Sequence, residues 1–184
     1  MSASHNALST WSRLRAEVSA VPEIRLLVSA GGCGMAAGAS EVVSALRADE
    51  VIRARKIEVI EAGCDGNCHE AVAVTLQRSG RLAQRWRHVT PQSLGAIIAD
   101  LDYPDEAVLD YPGQTRVLMR DAGMVDPIDI DEAFRRGRYR TLASALERSP
   151  EEIIAEIERS GLTGRGGAYF PLATKWSGCR SVSG

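Results

Sequence analysis

Four cysteines in 184 residues are too few for a disulfide scaffold, and in a chain without an export signal they point to free thiols or metal ligands. The opening Met1-Ser2-Ala3-Ser4-His5 offers neither a basic n-region nor an apolar h-region, so export is not expected and cytoplasm is the default. No apolar run approaches the roughly 20 residues of a membrane span, which argues against direct membrane insertion. Charge of one sign is also missing. Lys and Arg number 22 against 24 Asp and Glu, a net charge of −2, which gives no electrostatic ground for binding nucleic acid or an anionic membrane. With three histidines and no Ser–His–Asp or paired-carboxylate pattern, hydrolysis has no support and no catalytic residue is assigned. What is present is ordinary for a globular chain: 45% hydrophobic and 25% charged, enough for one core or one domain plus an extension.

Periodicity places an amphipathic helix over Leu8 to Val18, stopped by Pro22. Ile24-Arg25-Leu26-Leu27-Val28 is a compact apolar run entering Gly31-Gly32, the pattern of a buried strand opening into a loop. From Ala39, the residues Val42, Val43, Leu46, Val51 and Ile52 fall near helical spacing. Lys56 to Glu61 alternates as a half-exposed strand, Ala71 to Leu76 reads as a third strand, and Leu82 to Val89 as a fourth. Thr90-Pro91 caps a helix through Leu101, with Leu94, Ile97, Ile98 and Leu101 on one face. This β-α-β-β-β-α order predicts an α/β domain over residues 1–101 whose ordered unit is about 80 residues. Residues 102–114, with Pro104, Pro112 and Gly113, read as a linker. Residues 115–184 read as helical: Thr115 to Ala122, Asp129 to Arg136, Tyr139 to Glu147, and a helix opened by Ser149-Pro150-Glu151-Glu152 and closed by Gly161.

Two places carry chemistry. Cys33 follows the first strand in Gly31-Gly32-Cys33-Gly34-Met35, and Cys64-Asp65-Gly66-Asn67-Cys68 is a C-x3-C loop after the second. If the two strands are parallel neighbours, both loops leave the sheet at the same end, and three thiols approach one another. Thiolates at loop tips, with glycine to free backbone N–H groups for the sulfurs, suit an iron–sulfur cluster. Zinc with His69, despite the awkward adjacency to Cys68, and buried thiols without metal remain open. Three thiols leave a fourth ligand unnamed; Ser29 stands four residues before Cys33, and Cys179 lies far along the chain.

The second place is Ser160-Gly161-Leu162-Thr163-Gly164-Arg165-Gly166-Gly167-Ala168-Tyr169-Phe170-Pro171-Leu172-Ala173-Thr174-Lys175-Trp176. Gly164, Gly166 and Gly167 remove Cβ atoms where a ligand approaches the backbone, and they make positive φ accessible, so that successive N–H groups turn toward one point. Arg165 and Lys175 add cations, and a helix starting near Pro171 adds free N–H groups. Such a loop suits an anion, a nucleotide phosphate above all. The bland reading is a glycine-rich surface turn with two solvated cations.

This segment resembles the flavin- and NADH-binding loop of the 51-kDa (F) subunit of respiratory complex I, and of the related flavin subunits of NAD-linked hydrogenases and formate dehydrogenases. Gly164 to Ala168, Phe170, Pro171, Lys175 and Trp176 match; Tyr169 and Ala173 stand where that family has Gly, and Leu172 where it has Thr. Gly63-Cys64-x-Gly66-x-Cys68 and Cys33 to Ala39 resemble the loops of the thioredoxin-like [2Fe-2S] ferredoxin domain that is fused to some of these flavin subunits. The resemblance implies a thioredoxin-like ferredoxin domain, then a helical segment leading into a nucleotide-binding loop. It implies a [2Fe-2S] cluster on Cys33, Cys64 and Cys68, and FMN and NAD held in part by Gly164, Arg165, Gly166, Gly167 and Lys175. Partners would be the other subunits of a multi-subunit oxidoreductase, through which the chain would sit peripherally at a membrane complex. The family's acidic NADH-binding stretch and later C-x2-C-x2-C motif are absent before Gly184, so the expectation is an N-terminal fragment of such a subunit, inactive toward NADH by itself. Two other classes compete: a stand-alone [2Fe-2S] relay module, and a structural adaptor with vestigial cysteines.

Overall fold

The computed structural model describes residues 6–18, 20, 22–79, 81–102 and 113–182. Most of the linker expected over 102–114, and the opening Met1 to His5, lie outside them. The chain divides into two compact units, one of residues 19–132 and one of residues 1–18 with 133–184.

The first unit is built on a four-stranded sheet with strand order β2-β1-β3-β4, formed by β1 (Ile24–Ser29), β2 (Glu58–Ala62), β3 (Val74–Arg78) and β4 (Arg81–Trp86). β1 is central because its apolar run serves both faces: Leu26, Leu27 and Val28 are all buried. It pairs parallel with β2, Ser29 opposite Ala62, and antiparallel with β3, Leu26 opposite Leu76. β3 pairs antiparallel with β4 across an irregularity between Leu76 and Gln77.

Helices cover one face. The first is a short helix, α2 (Gly32–Ala36), numbered after α1 (Ala7–Glu17), which belongs to the second unit. In α3 (Ala39–Ala48), Ala39, Val42, Val43 and Leu46 recur at helical spacing and are buried. The run expected to continue through Ile52 is broken at Asp49, whose extended backbone (φ −64°, ψ 136°) ends α3. The Asp49 carboxylate then accepts from the Val51 and Ile52 amides at the start of α4 (Glu50–Ala54), the behaviour of a good N-cap residue. In α5 (Leu94–Asp100), Leu94, Ile97 and the following Leu101 are buried, behind a capping box between Thr90 and Ser93.

The other face holds Leu27, Ile60 and Ala62, together with polar groups that the apolar run concealed. Arg25 is 1% exposed and donates to Gln77 Oε1 from Nε (2.8 Å) and to both oxygens of Glu132 (2.8 and 2.9 Å). Glu132 also accepts from the Asp126 amide. A charge this deep is tolerated because it is paired in a fork–fork arrangement.

The helix expected over Thr115 to Ala122 does not form. The chain there makes turns, with Ala122 N–H donating to Met119 O and Met124 N–H to Asp121 O. Val117, Leu118 and Met119 are 73%, 93% and 52% exposed, so a helix would have had no apolar face to bury, and eight residues do not sustain one alone.

The second unit is helical. α6 (Ile130–Arg135) straddles the division, followed by α7 (Arg140–Leu146), α8 (Pro150–Arg159) and α9 (Leu172–Ser181). α1 packs on α7, and the buried Trp11 donates from Nε1 to Arg138 O at 2.8 Å. α8 begins as its sequence announces: Ser149 and Glu152 form a reciprocal capping box with Pro150 in the first turn, and Gly161 at φ 63° ends it.

Candidate functional site

The parallel pairing of β1 and β2 sends the Cys33 and Cys64–Cys68 loops out at one end of the sheet, the arrangement expected if the two strands were parallel neighbours. A hollow there is lined by Ser29, Gly31, Cys33, Gly34, Cys64 and Cys68, among others. Two glycines make the approach possible. A Cβ on Gly31 would stand 2.7 Å from Cys64 Cβ, and one on Gly34 would stand 1.9 Å from the Ser29 carbonyl oxygen. All three thiols are free and exposed.

The neighbouring Cys33 thiol, and after it desolvation, push the Cys68 thiol above its ordinary value, while Cys64 pulls it the other way. Gly66, at φ 91°, directs its N–H to Cys64 Sγ at 3.3 Å. Ser29 borders the hollow, but its Oγ already accepts from the Ala73 amide at 2.8 Å. Cys179 lies in α9 of the other unit. His69 is largely exposed, with Nε2 3.8 Å from Glu70 Oε1. Among the described residues, no group of three or more His, Cys, Asp or Glu side chains converges as a single metal ion needs.

Beneath the thiols runs an ion-pair network that motif reading missed. Arg85 on β4, in register with Thr75, donates from Nε to Glu70 (2.8 Å) and from Nη2 to Asp65 (2.5 Å), and Arg87 donates to the other Glu70 oxygen at 2.7 Å. Asp65 and Glu70 are 6% and 3% exposed. They flank Cys64 and Cys68, so the C-x3-C loop is anchored into the unit by charge. The available signal was one acid inside the cysteine pair and a second two residues beyond it, with an Arg inside a strand.

The glycine-rich segment forms a hairpin-like loop. Thr163 and Pro171 make an antiparallel bridge, Gly164 N–H donates to Phe170 O at 2.9 Å, and Leu172 N–H to Leu162 O at 2.9 Å. α9 starts immediately after Pro171, which sits at the N-cap rather than inside the first turn. The expectation of positive φ at Gly164, Gly166 and Gly167 is not met: the left-handed position of this turn is Tyr169, at φ 45°. The hairpin needs only one such residue to reverse direction, and the chain puts it there. Among the described residues nothing lies within 4 Å of a Cβ built on Gly166 or Gly167, so no packing seen there requires either glycine. Arg165 is exposed, and Lys175 Nζ lies 5.8 Å from the centre of the Phe170 ring. Gly164, Arg165, Gly166 and Gly167 therefore lie on one hairpin and Lys175 in the first turn of α9 beyond it, whereas Cys33, Cys64 and Cys68 border one hollow in the sheet unit.

No protein-family model matches the chain. Over 63 residues, 34% of this chain and 13% of the relative, it is 43% identical to the NADP-reducing hydrogenase subunit HndC of Solidesulfovibrio fructosivorans. Over 47 residues, 26% of this chain and 11% of the relative, it is 53% identical to the F subunit of the NADH-quinone oxidoreductase of Aquifex aeolicus. The corresponding protein of Streptomyces coelicolor is 45% identical over 47 residues, 26% of this chain and 10% of the relative. The matched stretches thus span 10 to 13% of these relatives' length.

Proposed function

We propose, from the premise that part of this chain is similar to the F subunits of NADH-quinone oxidoreductases, that it serves as an electron-transfer portion of an NADH:acceptor oxidoreductase. Its sheet unit takes the role of a thioredoxin-like [2Fe-2S] module, and its glycine-rich hairpin contributes one wall of a flavin and nucleotide site. The observation that carries this reading is the meeting of Cys33, Cys64 and Cys68 from two loops at one end of β1 and β2, with Gly31 and Gly34 making room.

A binuclear cluster fits this donor set better than zinc. A single zinc ion needs all its ligands around one point, whereas a [2Fe-2S] cluster spreads them over two irons. Cys33, Cys64 and Cys68 would hold the cluster, and Gly66 N–H would share in the charge on the Cys64 sulfur. Ser29 also brings a side-chain oxygen to the hollow, and its Ala73 hydrogen bond fixes where that oxygen points. When bound, such a group supplies one-electron transfer, and FMN supplies the step between hydride and single electrons.

The hairpin's part rests on its glycines. Among the described residues nothing lies within 4 Å of a Cβ on Gly166 or Gly167, and a bare backbone flanked by Arg165, with Lys175 in the following helix, suits a phosphate. Tyr169, 62% exposed, narrows that approach. The other subunits of such an oxidoreductase would be the partners. Among the described residues no helix is long and apolar enough to cross a membrane.

The test is anaerobic reconstitution with iron and sulfide, followed by visible spectroscopy and metal analysis. Absorbance between about 400 and 550 nm that bleaches on reduction, with equal iron and sulfide, is the expected result for a thiolate-held cluster. The paired change Cys33→Ser with Cys64→Ser should abolish it. A colourless chain that takes neither metal would overturn the reading in favour of a structural adaptor, and stoichiometric zinc would remove the electron-transfer claim.

A further inference from the structure

Asp65, between the two loop cysteines and next to Cys64, is held from several sides. Its Oδ1 accepts from the Asn67 amide at 2.9 Å, and its Oδ2 from buried Arg85. From outside the sheet, Arg116 Nη1 donates to the Asp65 carbonyl oxygen at 2.9 Å, while Gln114 Oε1 steadies the same guanidinium through Nε at 2.8 Å. Gly123 lies against the other side. Its φ of 73° is in the left-handed region, and a Cβ there would stand 2.6 Å from Asp65 Cβ and 3.4 Å from Asp65 Cα. Between Arg116 and Gly123, the apolar Val117, Leu118 and Met119 remain largely exposed. The segment is therefore not held down by apolar burial at these three residues; its attachments to the loop include one charged hydrogen bond and one close approach.

We propose that residues 114–124 form a strap against the Cys64–Cys68 loop, with Arg116 and Gly123 as positioning residues that limit the movement, and with it the reactivity, of the exposed Cys64 and Cys68. Both act through Asp65. Pulling on its carbonyl or crowding its Cβ shifts the peptide that carries Cys64, while the Arg85 network beneath keeps the rest of the unit in place. This builds on the reading of the three thiols as the working site, yet thiol reactivity is measured without any cluster.

The experiment uses the full chain, reduced and metal-free, as wild type, Arg116→Ala and Gly123→Ala. Iodoacetamide alkylation is followed at each cysteine by peptide mass spectrometry, with Cys179 in α9 as the reference within the same molecule. Both variants are expected to speed alkylation of Cys64 and Cys68 relative to Cys179 by at least about threefold, the signature of local opening without global unfolding. Arg116→Lys, which keeps one donor, should restore much of the protection. Unchanged ratios in both alanine variants overturn the strap. So does a parallel rise at all four cysteines with a lowered unfolding midpoint, which marks general loosening. Iron and sulfide analysis on the same preparations separates the two ideas. Protection that depends on the strap in a chain that assembles no cluster overturns only the cluster; normal assembly with indifferent alkylation overturns only the strap.

Discussion

Gly34 and Gly32 sit two residues apart in α2, on either side of Cys33, and the structure demands opposite outcomes from the same substitution. A Cβ on Gly34 would lie 1.9 Å from the Ser29 carbonyl oxygen and 2.9 Å from its carbon. That peptide cannot step aside, because Ser29 N–H donates to Ala73 O and Ala30 N–H to Ala62 O, both at 2.8 Å, pinning it to strands on both sides. Inserting a methyl into such a contact costs about 1–3 kcal/mol. Better helix propensity returns about 0.8–1.0 kcal/mol. At 1.9 Å from a backbone oxygen the clash cost falls in the upper part of its range, about 2–3 kcal/mol, so the clash wins and Gly34→Ala is destabilising by roughly 1–2 kcal/mol. For a unit of this size that lowers the unfolding midpoint by roughly 5–15 °C. Gly32 has nothing within 4 Å of its Cβ position and no positive φ, so Gly32→Ala collects the propensity gain without the clash. It should leave the midpoint unchanged or raise it by a few degrees, about 0.4–1 kcal/mol. Thermal melts of both variants by circular dichroism make the comparison. Midpoints for the two within about 2 °C of each other would refute the close approach of the Cys33 loop to β1, and with it the geometry of the thiol hollow.

Two further outcomes follow from the helical unit. Tyr169 holds φ 45° with its side chain 62% exposed, so Tyr169→Gly should relieve left-handed strain and be neutral to stabilising by about 1 kcal/mol, while Tyr169→Val should destabilise; denaturant titration of the three proteins checks the order. Glu152 is held below the ordinary 4.5 by the Ser149 amide and then the Ser149 hydroxyl, and Glu156 by Arg159 and then Arg148. With folded values depressed, their stabilisation is complete above the unfolded value and is lost as pH falls through and below it. Helical signal from this unit should therefore melt earlier at pH 3 than at pH 6. The Glu156 part should shrink in high salt because its pairs are exposed, and a melt independent of pH over that range would count against both contacts.

How much of this was legible in the sequence depends on whether a residue's reason lay nearby in the chain. Ser149, Pro150 and Glu152 announced the start of α8 because a capping box closes within four residues, and Gly161 announced its end for the same reason. The apolar run of Leu26, Leu27 and Val28 announced a strand buried on both faces, and the parallel crossover to β2 then brought Cys33 toward Cys64 and Cys68. Arg25 shows where local reading fails. Inside an apolar run it looked incidental, yet its partners are Gln77 and Glu132, the latter 107 residues away. Arg85, Asp65 and Glu70 were equally silent, since strand register alone sets Arg85 beside Thr75 and within reach of Asp65 and Glu70. Thr115 to Ala122 failed in the opposite sense: its composition permits a helix, but no surface takes up Val117 and Leu118. The glycines divide along the same line. Gly34 and Gly123 are explained by atoms of this chain that a Cβ would strike. Gly166 and Gly167, read from the sequence as room for a ligand, strike nothing. A glycine that a neighbouring atom forbids from carrying a Cβ reports on the fold, whereas Gly166 and Gly167, like Gly32, meet no such atom among the described residues, so the fold alone does not account for the residue type there.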